Sequence, residues 1–500
     1  MSHNFIQDAV FDAKSVSQLD RTVIDTHGVP GIVLMKRAGR AALDELLDTF
    51  GVPTSLTIFC GSGNNAGDGY IVAALAAAKN IPVQVVELST ALTEDASKAK
   101  QFAQQAEVSF VNFDKAMKLS SGVIVDGLLG TGFDGELRQT YRDAIQLIND
   151  SGMPVLALDI PSGLHADTGH IADVAVMADI TVTFIGAKQG LFSGQGPVAC
   201  GETIYHSLEV PEQVFEQVPA TAMLLDLFEL MDYLPQLVVD GHKNQRGHAM
   251  VIGGERGFGG AAILAAEACL QTGAGLTSLA TRPEHVAPML MRQPEVMACP
   301  VVSGQELEPL LNRSSVLVVG PGLGRSSWSE QLLQKAVAAG LPMVLDADGL
   351  NILAEGRVVP DPDGSQWVLT PHAGEAARLL GLSVAEVQAD RYSAVRLLQE
   401  KYAGVVLLKG PGTLIAGPDK IIQVCTYGNP AMATAGMGDI LSGIIGGLIA
   451  QGCDIQTATE LGCCLHGSAA DLAVQEQGSR GLMASDLLPH LRGLLNQNYL

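Results

Sequence analysis

The sequence predicts an α/β protein of two three-layer αβα domains, residues 1–220 and 221–500. Three observations carry this expectation. Five hundred residues exceed one ordinary core, so two domains of roughly 200–280 residues each are expected. Short apolar runs alternate with helical patterns through both halves, the rhythm of parallel sheets. The 56 glycines cluster where those runs end, at the edge where α/β sheets bind ligands.

Composition narrows the class. Apolar residues make up 47% and charged residues 17%, which describes a packed globular chain rather than a disordered one. A net charge of −23 argues against nucleic acid or an anionic membrane as a partner, while leaving room for a nucleotide held by local backbone donors. Of the eight cysteines only Cys463 and Cys464 adjoin, with no CxxC or Cys/His metal spacing, so reduced thiols in a cytoplasmic protein are expected. The first residues lack a basic-then-apolar leader, and apolar runs such as Ile440–Ala450 are too short and glycine-broken to span a bilayer.

Val16–Asp25 and Met35–Phe50 carry apolar residues at helical spacing, separated by the turn Gly28-Val29-Pro30-Gly31. Ser55–Cys60 reads as a strand, 61–69 as a glycine loop and Tyr70–Lys79 as an alanine-rich helix. Strand, glycine loop and helix start form a phosphate- or ribose-binding corner in many α/β folds. The loop is not GxGxxG, and the bland alternative is a tight turn. Further strands are read at Val83–Glu87, Val123–Asp126, Pro154–Asp159 and Ile180–Phe184, with helices at Thr93–Gln105 and Tyr141–Asn149. In a parallel sheet the carboxyl ends share one edge, so Asn64, Asn65, Asp68, Asp126, Gly130, Thr131, Asp159 and Ser162 should converge. Their oxygen-only chemistry suits a hard cation, a monovalent one included. Gly194–Val210 looks like a closing β segment, and the glycine-free stretch Glu212–Pro235 like a linker.

In the second half, strands at His248–Ile252, Leu276–Thr281, Ser315–Val319, Pro342–Asp346, Trp367–Thr370 and Gly404–Leu408 mostly run into glycine or acidic motifs, and Leu414–Ala416 with Ile421–Cys425 reads as a hairpin. Helices are read at Ala261–Thr272, Thr457–Glu476 and Ser485–Leu495. The stretch Thr434-Ala435-Gly436-Met437-Gly438-Asp439 opens onto an apolar run, the start of a buried helix. Its free N–H groups and dipole suit an anion. An aspartate there is either a helix cap or a base, and Asp439 is read as a base taking a proton from a hydroxyl. Lys409-Gly410-Pro411-Gly412-Thr413 offers a cation beside two glycines, suited to phosphates without being a Walker A loop. His372, after a strand and before a Gly-Glu helix start, is a candidate substrate contact or acid; Asp346 and Asp348 either assist a metal or cap a turn. Together these point to a phosphoryl transferase in which Mg²⁺ accompanies the nucleotide.

On these motifs the chain resembles the bifunctional NAD(P)H-hydrate repair enzymes of bacteria. The first half resembles their epimerase domain, which is Rossmann-like, through Gly63-Asn64-Asn65-Ala66-Gly67-Asp68-Gly69, Asp126–Gly132 and Asp159-Ile160-Pro161-Ser162-Gly163. The second half resembles their ADP-dependent dehydratase, which is ribokinase-like. It does so through Gly320-Pro321-Gly322-Leu323-Gly324, Thr370–Glu375, Lys409–Thr413 and Gly436–Asp439. Ala66 stands where the family usually has glycine, and Thr434-Ala435 where a Ser-Gly pair is common.

The resemblance implies that the first domain interconverts the R and S forms of NADHX and NADPHX, the C6 hydrates of NADH and NADPH. The second would remove water from the S form, converting ADP to AMP and phosphate. It implies that Asn64, Asn65, Ala66, Gly67, Asp68, Gly130, Thr131, Gly132, Phe133, Asp134, Gly135, Glu136 and Asp159 hold the hydrate in the first domain, with Asp159 as acid/base candidate. Asn65, Asp126 and Ser162 would bind K⁺. Ala261, Gly324, His372 and Asp439 would contact the S-hydrate, and Lys409, Gly410, Pro411, Gly412, Thr413 and Gly438 the nucleotide, with Mg²⁺. A homo-oligomer is expected. Two alternatives stand: a vitamin or sugar kinase with an accessory ligand-binding domain, and a non-catalytic nucleotide sensor or scaffold.

Overall fold

The computed structural model describes residues 8–497 except 120, 134, 237–241 and 420. The chain divides into two compact units, Met1–Met223 and Leu224–Leu500.

In the first unit the strands are β1 (Ala9–Phe11), β2 (Leu56–Cys60), β3 (Val83–Glu87), β4 (Ser109–Asn112), β5 (Val123–Gly127), β6 (Val155–Leu158), β7 (Ile180–Phe184), β8 (Ala187–Lys188), β9 (Glu202–His206) and β10 (Ala222–Leu224). Seven of them form a parallel sheet in the order β4-β3-β2-β5-β6-β7-β9. The order reverses between β2 and β5, so the chain leaves those two strands in opposite directions and a crevice opens beyond their carboxyl ends. The central strands are buried on both faces, as helix-covered parallel strands must be. The helices that matter for the site are α1 (Ala13–Arg21), α2 (Gly31–Phe50) and α3 (Asn64–Ala78).

In the second unit the strands are β11 (His248–Ile252), β12 (Leu276–Thr281), β13 (Met297–Pro300), β14 (Val316–Val319), β15 (Met343–Leu345), β16 (Trp367–Leu369), β17 (Val405–Leu408), β18 (Thr413–Ala416) and β19 (Ile422–Cys425). They run β13-β12-β11-β14-β15-β16-β17-β18-β19, parallel as far as β17 and antiparallel beyond. The switch point falls between β11 and β14. Here α4 (Gly259–Thr272), α5 (Ala373–Leu380), α6 (Arg391–Tyr402), α7 (Met437–Ala450) and α8 (Ile455–Gln477) carry the argument. Helix α7 is buried almost throughout and lies close against α4. Glycine permits that approach, since a Cβ at Gly443 would stand 2.3 Å from the Ala265 carbonyl oxygen. Among the described residues no helix is long and apolar enough to cross a membrane.

Several sequence readings change. The loop read over 61–69 is only three residues long, because α3 begins at Asn64. Gly67 and Gly69 are helical glycines whose place in α3 serves close packing: a Cβ at Gly67 would meet the Met35 side chain at 2.4 Å. The closing β segment of 194–210 contains a helix at Gly196–Cys200 before β9. The stretch read as a linker, Glu212–Pro235, holds a helix at Glu212–Gln217, β10 and a helix at Leu227–Leu230, with Val214, Phe215 and Leu227 buried. The stretch is therefore ordered rather than loose, and the boundary between the two units falls within it, after Met223. Strands β1, β4, β8, β10 and β13 are not among the sequence readings.

Candidate functional sites

In the first unit a cavity of about 650 Å³ sits at the carboxyl ends of β2, β5 and β6. Asn64, Asn65 and Asp68 reach it from the first turns of α3, Gly130, Thr131, Gly132, Phe133 and Glu136 from the loop after β5, and Asp159 from the end of β6. Ala66 and Gly67 are buried within α3 rather than on the wall, and Gly135 lies off it. Asp134 falls outside the described residues.

Asp159 holds a left-handed backbone, φ 63°. A non-glycine residue there stores about 1–3 kcal/mol of strain and persists only where the surroundings enforce it. The enforcement is visible. Its Oδ1 accepts from the Phe184 N–H at 3.2 Å and pairs with the Lys188 ammonium. Lys188 is fully buried and also donates to Thr183 Oγ1 at 3.0 Å and the Phe184 carbonyl at 3.1 Å. Asp20 of α1 lines the same cavity. Lys188 and Asp20 escaped the sequence reading. A lysine two residues beyond Ile185-Gly186, just after a buried strand, was a usable signal; Asp20 gave none.

Asp126 and Ser162 are fully buried and are not among the residues of the cavity wall. The Asp126 carboxylate accepts from Leu128 N (3.1 Å), Ser162 N (2.8 Å) and Ser162 Oγ (2.6 Å). Burial raises it to about 6 against the opposing pull of those bonds. Asn65 Nδ2 donates to the Leu129 carbonyl at 2.7 Å, which leaves Asn65 Oδ1 buried with no hydrogen-bond partner. An orphaned buried oxygen beside a carboxylate, a serine hydroxyl and a backbone carbonyl is the donor set a potassium ion fits.

In the second unit α7 starts at Gly436, in the left-handed region with φ 91°, and no side chain caps it. Its first N–H groups therefore stay available. Asp439 is the third helical residue, so the cap alternative does not hold. Burial, then the Asp346 carboxylate, push Asp439 up to about 7, while Lys409 pulls it down. Lys409, following β17, donates to Asp346 Oδ1 at 2.9 Å, and Ser442 Oγ donates to Asp346 Oδ2 at 2.7 Å. Gly438 fits here because it is small: a Cβ would stand 3.2 Å from Lys409 Nζ. Asp346 thus ties the cation to the helix start, beyond capping a turn. Asp348 does something different, accepting from the Gly324 N–H at 2.9 Å.

The loop 409–413 is held from below by Arg391 of α6, a fully buried guanidinium that donates to the carbonyls of Leu408 (3.2 Å), Lys409 (3.3 Å) and Gly412 (3.3 Å). Gly410, φ 147°, leaves room for it, and Thr413 already belongs to β18. His372 caps α5, its Nδ1 accepting from Gly374 N at 2.9 Å, while Glu375 Oε2 accepts from His372 N at 2.9 Å. Burial, then Lys409, lower His372, and burial pushes Glu375 up to about 7. Ala261, in the first turn of α4, packs beside the 320–324 loop: a Cβ on Gly322 would be 3.2 Å from the Ala261 methyl. Arg391 and Ser442 have no signal in the sequence, because each acts through a contact distant along the chain, whereas Glu375 stands in the Thr370–Glu375 motif without a role assigned to it.

Residues 31–190 match the family model described as YjeF-related protein N-terminus, and residues 249–492 the model described as NAD(P)H-hydrate dehydratase. A bifunctional NAD(P)H-hydrate repair enzyme of Coxiella burnetii is 44% identical over 489 residues, 97% of this chain and 99% of its own. One of Escherichia coli is 37% identical over 493 residues, 98% and 95% of the two chains. Among solved structures, a hypothetical protein of Streptococcus mutans aligns with TM-score 0.51 and 26% identity, covering 55% of this chain and 99% of that one.

Proposed function

Because the chain belongs to the bifunctional NAD(P)H-hydrate repair enzymes, we propose that it returns damaged, hydrated NADH and NADPH to use through two sites. The relatives match across both units, so one chain carries epimerase and dehydratase; that whole-length correspondence is the observation that carries the assignment. It also sets aside the kinase and sensor alternatives. Residues 1–220 are assigned to epimerisation at C6 and 221–500 to dehydration.

In the second unit the task is to make a poor leaving group leave. Asp439 takes the proton of the C6 hydroxyl as that oxygen attacks the terminal phosphorus of ADP, releasing AMP. The N–H groups at the start of α7 and the Lys409 ammonium stabilise the transferring phosphoryl group. The ring nitrogen's lone pair then expels phosphate from C6, and loss of a C5 proton restores the dihydronicotinamide. A carboxylate brought up to about 7 suits the first step, since a base works best with affinity near the working pH. Lys409–Thr413 and Gly438 hold the nucleotide, and His372, Ala261 and Gly324 the hydrate. Mg²⁺ would arrive on the phosphates and neutralise them; among the described residues no cluster of three or more His, Cys, Asp or Glu offers a separate metal cage.

In the first unit Asn64, Asp68, the 130–136 loop and Asp159 hold the hydrate, and Asp159 exchanges the proton of the C6 hydroxyl. Asn65 Oδ1, Asp126 and Ser162 would hold K⁺, which offsets the buried Asp126 charge and fixes the Leu129 backbone under the substrate loop.

The test is product identity. Hydrated NADH with ADP should give AMP and inorganic phosphate in step with NADH. A stable phosphorylated hydrate would favour the kinase alternative instead.

A further inference from the structure

The first cavity carries more chemistry than one aspartate. Asp20, Asp68, Asp159 and Lys188 all line it, from four different elements: α1, α3, the end of β6 and β8. These three carboxylates share one buried ammonium, and Asp95, Glu136 and Arg138 line the same cavity. Lys188 is committed to Asp159, which also takes the Phe184 N–H. Among the described residues no donor bonds to the carboxylate of Asp20 or Asp68. Three ionised carboxylates around one buried ammonium are costly in a half-enclosed cavity, so this group of four keeps a proton. Resting on the epimerase reading, we propose that Asp68 is the catalytic acid of the epimerisation, paired with Asp159 as base, and that Lys188 is the positioning residue that keeps the two in opposite charge states.

The proton belongs on Asp68. Burial is the largest influence raising it, followed by the carboxylates of Asp159 and Asp20, with Lys188 opposing. Asp20, also raised by burial, to about 6, is the next to hold it. Of the cavity's other charged groups, Asp95, Glu136 and Arg138, none is among the influences on Asp68.

The reaction needs both states at once. Asp159 takes the proton of the C6 hydroxyl, and the oxygen's electron pair forms the C6 carbonyl. The N1–C6 bond breaks, its electrons pass to N1, and N1 takes the proton of Asp68. N1 is a fit leaving group because it is conjugated through C2=C3 with the carboxamide. Rotation about C5–C6 then presents the other face of the aldehyde. N1 attacks it, returns its proton to Asp68, and the oxygen recovers the proton from Asp159. No atom is gained or lost, and both carboxyl groups end as they began.

The experiment follows interconversion of R- and S-hydrated NADH by the full chain without ADP, separating the epimers chromatographically. Asp68→Asn should lower kcat about 100-fold or more with KM within threefold of the parent, as loss of a general acid does, and Asp68→Glu should regain part of the rate. The rate should fall on the alkaline side as Asp68 loses its proton. Lys188→Met removes the one group that eases that loss, so its alkaline fall should move to higher pH. An Asp68→Asn rate within threefold of the parent overturns the proposal, as does an alkaline fall that Lys188→Met leaves in place. A parent chain that does not interconvert the epimers at all refutes the epimerase reading itself, a separately visible failure.

Discussion

Replacing Asp439 with asparagine keeps shape and removes the base, and the structure sets the size of two opposite effects. A positioned general base contributes about 10²–10⁴ in rate, or about 3–5 kcal/mol of barrier. Dehydration by Asp439→Asn should fall by that factor with KM for ADP little changed. Stability should move the other way. Asp439 is held at about 7 instead of 3.8, so the folded chain binds this proton more tightly than the unfolded chain does. The stability this adds is complete below pH 3.8 and is lost as pH rises through about 7. Above that, the folded chain carries an ionised carboxylate it disfavours by about 2–4 kcal/mol, at about 1.4 kcal/mol per pH unit less partial solvent screening. Asparagine relieves this cost, so the variant should melt higher by roughly 5 °C or more at pH 8 and near the parent at pH 4. The same group sets the parent's profile: roughly a tenth of Asp439 is ionised at pH 6 and nine tenths at pH 8. The assay is NADH absorbance recovered from the S-hydrate, with a thermal melt of each protein at both pH values. A variant as active as the parent refutes the base. Equal melting at pH 8 refutes the electrostatic cost.

Other consequences are checkable. Arg391→Met leaves the carbonyls under the 409–413 loop without their shared donor, so KM for ADP should rise tenfold or more while epimerisation holds; an unchanged KM would separate the loop from the nucleotide. Asn65→Leu removes the orphaned oxygen, so epimerisation by the variant should respond equally to K⁺ and tetramethylammonium, where the parent prefers K⁺. Gly443→Ala forces a methyl against the Ala265 carbonyl and should cost about 1–3 kcal/mol in denaturant unfolding, without altering KM for either substrate.

The sheets were legible because buried parallel strands are written as short β-branched runs, such as Val123–Val125 and Val316–Val319, and because glycines mark where they end. The positions of Asn65, Asp159, Lys409 and Asp439 at strand ends and helix starts followed from that pattern. What stayed hidden was pairing. Lys188 with Asp159 spans 29 residues, Ser442 with Asp346 spans 96, and no local pattern encodes such a contact. Asp346 was ambiguous in sequence for the same reason: a residue after a strand looks like a cap until its partner is seen. The helix over Asn64–Gly69 was missed because its glycines, which read as loop, are there to let α3 pack against α2 and β2.

The most direct measurement mixes the full chain with an epimer mixture of hydrated NADH and ADP, following dihydronicotinamide absorbance after the slow spontaneous epimerisation is subtracted. Two working sites predict complete recovery by the parent, recovery of only the S fraction by a chain lacking the epimerase carboxylates, and none by Asp439→Asn. A flat trace from the parent with ADP and with ATP would contradict the account.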